Sequence, residues 1–154
     1  MSLWDWAVRA YAAPGVADTC LTLQDRHDQN VPLLLWAAWT AATGRHPDAE
    51  TVEAACDTAR AWDLVAVAPL RGVRRTLKAP IPDLDDAARE AVRNQVKAVE
   101  LEAERQLLIA LESLSPAPSG PVRSPVEAMA ATARQWGDLT PRPALIRLAE
   151  HLPA

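Results

Sequence analysis

The chain has 154 residues, enough for about one domain, and its 49% hydrophobic and 23% charged residues are the balance of an ordinary globular protein. A formal net charge of −4 excludes a global pull toward nucleic acid or anionic lipid, while leaving room for a local basic patch. A chain of this size buries enough surface to fold without disulfides or metal.

Ser2 and Asp5 form a short capping box, and Trp4, Ala7, Val8 and Tyr11 follow at i, i+3, i+4 and i+7, the inward stripe of a first helix that Pro14-Gly15 ends. A second helix runs from about Val16 to His27, with Val16, Cys20, Leu23 and His27 on one face. Asp28-Gln29-Asn30 connects it to the central element, Val31–Ala42. Asn30 caps that helix, Pro32 occupies its first turn and Gly44 stops it. Because it is apolar on nearly every side, it belongs where other elements surround it. Asp48 caps a helix from Ala49 to about Val67, which Pro69 kinks or breaks. A short basic helix, Leu70 to Lys78, and an extended Ala79-Pro80-Ile81-Pro82 follow.

Asp83 or Asp85 caps the longest helix, about Leu84 to Leu114. Val92, Val96, Val99, Ala103 and Leu107 form one apolar stripe on it, and Leu101, Leu108 and Leu111 a second. No alternating run of β-branched or aromatic residues suggests a strand. From Ser115 to Pro125 four prolines and no core-forming residue read as a linker. Val126 to Trp136 and Pro143 to Leu152 then form two short helices. The expected fold is therefore all-α: a compact five- to six-helix bundle over residues 1–114 around Val31–Ala42, a proline-rich linker over 115–125, and a C-terminal helical appendage over 126–154.

Several segments resemble an uncharacterised bacterial family of conserved hypothetical proteins with a domain of unknown function. They are Leu3-Trp4-Asp5-Trp6, Tyr11 to Val16, Cys20 to Asp25, Asn30 to Trp36, Val67 to Arg71 and Lys97 to Arg105. The likeness covers about residues 3–112 and spares the proline-rich tail. It implies a bacterial cytoplasmic protein of about this size and brings no catalytic residues with it.

Among the residues that carry chemistry, Arg71, Arg74, Arg75 and Lys78 stand at i, i+3, i+4 and i+7 and share one helical face. Such a stripe docks phosphates or a partner, or else it pairs with the acidic positions of the long helix: Glu90, Glu100, Glu102 and Glu104. Glu100 and Glu104 share a face, but the Glu-x-x-His spacing of a bundle metal site is missing, and His27, His46 and His151 sit near helix ends or in loops. Cys20 and Cys56 have no neighbouring histidine and read as buried free thiols of a reducing compartment. There is no nucleophile elbow and no glycine-rich phosphate loop.

Six tryptophans without a phenylalanine could line an apolar pocket, with Trp36 and Trp39 facing Arg71, Glu100 and Glu104. Trp6, opposite the Trp4–Tyr11 stripe, is expected to be exposed and to anchor a partner. Met1–Trp6 lacks the basic start and apolar core of a secretion signal, and Val31–Ala42 falls short of the ~18 residues of a membrane span. The expectation is a cytoplasmic, non-enzymatic interaction module that binds another protein through Arg71, Arg74, Arg75, Lys78 and Trp6. No cofactor, metal or membrane contact is expected. A Trp-lined ligand pocket or enzyme, and nucleic-acid binding through the basic helix, are the alternatives.

Overall fold

The computed structural model describes residues 1–154 and contains helices only. They are α1 (Leu3–Ala12), α2 (Val16–His27), α3 (Val31–Ala42), α4 (Ala49–Trp62), α5 (Ala68–Thr76), α6 (Asp86–Leu114), α7 (Pro125–Trp136) and α8 (Arg142–Ala149), with a π-helical turn, Asp63–Val67, joining α4 to α5. The expected all-α bundle around Val31–Ala42 is what the chain forms. Asn30 Oδ1 accepts the Leu33 amide at 3.0 Å, Pro32 occupies the first turn, and every residue from Val31 to Ala41 is buried. Helices α1, α2, α4, α6 and α7 all pack on α3, as an all-round apolar helix requires.

Gly44 ends α3 in the left-handed region, at φ +66°, and a Cβ there would run into the carbonyl of Gly120. The proline-rich stretch passes this close because it is stapled to the end of α3. Ser119 N–H donates to Gly44 O at 2.9 Å and Arg123 N–H to Ala41 O at 3.0 Å. Arg45 Nη1 donates to Pro116 O at 3.0 Å, and Trp36 Nε1 to Ser115 Oγ at 2.7 Å. Beyond it, Met129, Ala130 and Ala133 of α7 and Leu145 and Leu148 of α8 join the same buried cluster as α3.

Two side-chain phases differ from expectation. In α1 the buried residues are Leu3, Trp6, Ala7 and Ala10, whereas Val8 and Tyr11 are exposed and Trp4 is half-buried. Trp6, expected to be exposed, is only 2% accessible. This helix is apolar on two adjacent stripes; burying Leu3 and Trp6 beside two small alanines leaves the Tyr11 side partly on the surface, with its hydroxyl desolvated against Cys20 of α2.

In α6, Val92, Val99 and Leu101 are more than half exposed. The stripe that faces the protein runs Arg89, Arg93, Val96, Glu100, Ala103, Leu107 and Leu111. Its N-terminal half meets the polar end of α5 instead of the apolar core. Arg89 Nη1 donates to Leu77 O and Lys78 O at 2.8 and 3.1 Å, and Arg93 Nε to Arg74 O at 3.2 Å. These arginines satisfy the last carbonyls of α5, which no helical turn follows.

Pro69 does not break the path from α4 to α5, which stays helical throughout. Its ring would clash with the carbonyl four residues back, and the π turn Asp63–Val67 widens the backbone just there, closing with Ala68 N–H on Asp63 O.

Candidate functional site

Three of the four residues of the basic stripe are held by carboxylates of the same chain. Arg74 Nε donates to Glu100 Oε2 at 2.6 Å, and its Nη2 lies 3.4 Å from Oε1. Arg71 Nη2 donates to Gln24 Oε1 at 3.0 Å. Its Nε lies 3.5 Å from Glu100 Oε1 without forming a hydrogen bond, so that buried N–H has no partner. Arg75 reaches Asp25 at 2.6 Å on the surface, and Lys78 is exposed. The hydrogen bond to Glu100 pushes the Arg74 guanidinium above its ordinary range.

Behind these pairs lies a small, partly enclosed cavity of about 30 Å³, room for one or two water-sized groups. Gln24, Gln29, Asp63, Arg71, Glu104 and Trp136 are among its walls. The backbone explains how polar groups come to be here. Asp28 ends α2 in the left-handed region, at φ 52°, with Gln29 N–H returning to Leu23 O at 3.0 Å. That turn leads Gln29 and Asn30 inward ahead of α3, so both are buried. Gln29 Nε2 donates to His27 O at 3.0 Å, but Oε1 finds no donor. Asp63 enters from the first residue of the π turn, and Glu104 from α6.

Burial and the nearby Glu100 carboxylate raise Glu104 to about 7, against the opposing pull of Arg71 and Arg74. Burial likewise raises Asp63, with Arg71 lowering it and Asp28 raising it.

Trp136 closes one side, its Nε1 donating to Asp28 O at 2.8 Å and its ring lying 4.3 Å beneath the Arg60 guanidinium. Outside it a polar vestibule is lined by His27, Asp28, Asp63, Leu64, Asp138 and Leu139. On the other side of Glu104 an open groove carries Tyr11, Cys20, Lys97 and Leu101. Burial holds the Cys20 thiol at about 11, so it is no nucleophile at neutral pH. Cys56 is raised to about 11 by the same cause.

The structure therefore brings Arg71, Glu100 and Glu104 together, and separates them from the two tryptophans expected beside them. Trp36 and Trp39 are fully buried in α3. Trp36 borders a different cavity between α3 and α7, with Thr40, Arg45 and Arg123, while Arg45 stacks 4.3 Å over the Trp39 ring. An apolar helix offers its indoles to whichever neighbour packs there, and for Trp36 the neighbours are α7 and the proline-rich segment. Sequence reasoning missed Gln29 and Asp63. The signal for Gln29 was an unbroken polar triplet leading straight into a helix that had to be buried. Nothing in local sequence marks Asp63. No three histidine, cysteine or carboxylate side chains are grouped so as to hold a metal ion, and no helix is long and apolar enough to cross a membrane.

Fold and site together define an all-helical domain with a small, partly enclosed polar cavity where α2, α3, α6 and the π turn meet. The chain belongs to the family described as "Protein of unknown function (DUF2390)", whose match covers residues 2–111. That span contains every cavity residue named above except Trp136. No curated protein and no solved structure matches the chain.

Proposed function

We propose that the chain is a small-ligand-binding domain and that the Gln29–Asp63–Arg71–Glu104 cavity is its binding site. The observation that carries this reading is the meeting of two unpartnered buried groups, Gln29 Oε1 and Arg71 Nε–H, in one cavity with Glu104. Each such orphan costs about 1–3 kcal/mol, and a bound molecule that pairs either one recovers part of that cost. Carboxyls displaced from their ordinary range in a cleft are the usual mark of a working site. The test is amide and side-chain NMR of the labelled protein against a panel of small polar compounds. Binding here shifts the Gln29 and Arg71 side-chain signals together, and Gln29→Met weakens it. A panel that moves neither signal at millimolar concentration refutes the reading.

A second reading, a non-enzymatic module that binds another protein, draws support from exposed apolar side chains around the π turn. Leu64 and Val65 are about three-quarters exposed, beside a groove lined by Ala61, Trp62 and Ala110. Arg71, Arg74 and Trp6 add nothing to it, since the arginines are paired and Trp6 is buried. The same pairing weakens the nucleic-acid reading. Val65→Asp abolishes partner recovery if this face is the working one and leaves the cavity's ligand response intact. The two free buried thiols suit a reducing bacterial cytoplasm, and fractionation of the native host tests that placement.

A further inference from the structure

We propose that the partly enclosed cavity is a site for a protonated primary amine, with the alkyl chain leaving through the vestibule and a linear diamine as the best-fitting ligand. This rests on the reading of the cavity as a binding site and names what enters it.

The argument is a count of donors and acceptors. Gln29, only 6% exposed, lines the cavity, and its Oε1 has no hydrogen-bond partner. The Asp63 and Glu104 carboxyls feel charges around them but accept no hydrogen bond from any of these groups. Asp28 stands in the same wall. Against these acceptors the free donors are Arg71 Nε–H, on a guanidinium already shared with Gln24 and Glu100, and the Glu104 hydroxyl while that carboxyl is protonated. A carboxylate or phosphate ligand would add acceptors to a site that has too many. A water molecule brings two donors; an ammonium head of about the same size brings three, one each for Gln29 Oε1, Asp63 and Glu104. The cavity has room for one or two groups of that size. In the vestibule Leu64 and Leu139 flank a slender alkyl chain, and Asp138 with Asp28 waits for a second positive end.

Entry of a cation has a consequence that can be measured. Glu104 is faced by Glu100 on its own helix, by Arg71 and Arg74 from α5, and by Asp63 from the π turn, with Tyr11 and Cys20 opposite on α1 and α2. Asp28 and Lys97 complete the charges around the two openings. With its carboxyl near 7, a neighbouring ammonium draws off the proton. Binding at pH 7 then releases about half a proton, and apparent affinity rises about tenfold from pH 6 to pH 8.

The experiment is isothermal titration calorimetry of the full chain at pH 6, 7 and 8, in two buffers of different ionisation enthalpy. The probes are 1,4-diaminobutane, 1,4-butanediol, succinate and magnesium ion, and the proteins are wild type, Glu104→Gln and Gln29→Met. Thermal melts establish that each variant is folded, and NMR of Gln29 and Arg71 locates binding. The expected result is binding of the diamine alone, with proton release. Affinity falls about tenfold or more in both variants, and proton release disappears in Glu104→Gln.

Binding of the diol, succinate or magnesium at Gln29 without the diamine overturns the amine assignment and leaves the cavity as a site. Diamine binding that is equal in all three proteins assigns it to surface carboxylates and overturns the proposal. Silence of the Gln29 and Arg71 signals to every probe here and to the wider panel overturns both readings.

Discussion

Replacing Glu104 by glutamine stabilises the folded chain at pH 8 and leaves it nearly unchanged at pH 4. The carboxyl titrates at about 7 in the folded chain, against 4.5 in an ordinary setting. The folded state thus holds this proton more tightly than the unfolded state. Its contribution is fully present below pH 4.5, declines between 4.5 and 7, and is lost above 7. At about 1.4 kcal/mol per pH unit of separation, the ionised carboxyl costs the fold about 3 kcal/mol at pH 8. Glutamine keeps the shape and removes the charge, so the variant regains that amount, roughly 6–12 °C of melting temperature for a chain of this length. The assay is thermal unfolding of both proteins from pH 4 to pH 8.5 by circular dichroism. The two curves must diverge through the interval 4.5 to 7. Parallel curves, or a variant less stable at pH 8, would show that Glu104 is not held in a desolvated, like-charged setting, and the cavity would lose its most distinctive group.

Other perturbations test the frame around the cavity. Glu100→Ala strands Arg71 and Arg74 without their shared carboxylate and costs roughly 3 kcal/mol in denaturant unfolding; combined with Arg74→Ala, the loss is well short of the sum of the singles. Gly44→Ala imposes a side chain on a left-handed residue facing the Gly120 carbonyl; about 2–4 kcal/mol of stability is lost from strain and displacement together. Truncation after Leu114 removes Met129, Ala130, Ala133, Leu145 and Leu148 from the buried cluster. The remaining chain keeps helical far-ultraviolet dichroism, loses near-ultraviolet tryptophan structure and binds a hydrophobic dye; a cooperative melt of the truncated chain would contradict this.

Stabilisation by removal of a charge is what a binding site leads one to expect. On the proposed reading, a cavity lined for a ligand is assembled at the expense of the empty fold, and both the orphaned Gln29 oxygen and the ionised Glu104 weigh against it. The π turn belongs to the same pattern. By shifting the helix register ahead of Pro69 it brings Asp63 to the cavity wall and Arg71 to Glu100, which a break at Pro69 would not do.

Local chemistry determined the elements of this protein. Asn30, Pro32 and Gly44 mark the ends of α3 through capping, a missing amide and a left-handed turn, and these act over a few residues that can be read in order. The all-round apolar character of Val31–Ala42 also dictated that other helices cover it. The shared face of Arg71, Arg74, Arg75 and Lys78, and that of Glu100 and Glu104, followed from helical periodicity alone. Which partner each face meets was decided only in three dimensions. Helical phase alone puts Trp6 on the exposed side of α1; the helix offers two apolar stripes, and packing on α2, α3 and α6 selects the one that buries it. Trp36 and Trp39 were paired with Glu100 and Glu104 because periodicity cannot say which neighbour covers each side of a wholly buried helix. Gln29 and Asp63 acquire their role only because a left-handed turn and a π turn, 34 residues apart in number, deliver them to one cavity with Glu104. Helix type is a short-range property of the chain, whereas the pairing of buried acceptors with one another is a property of packing.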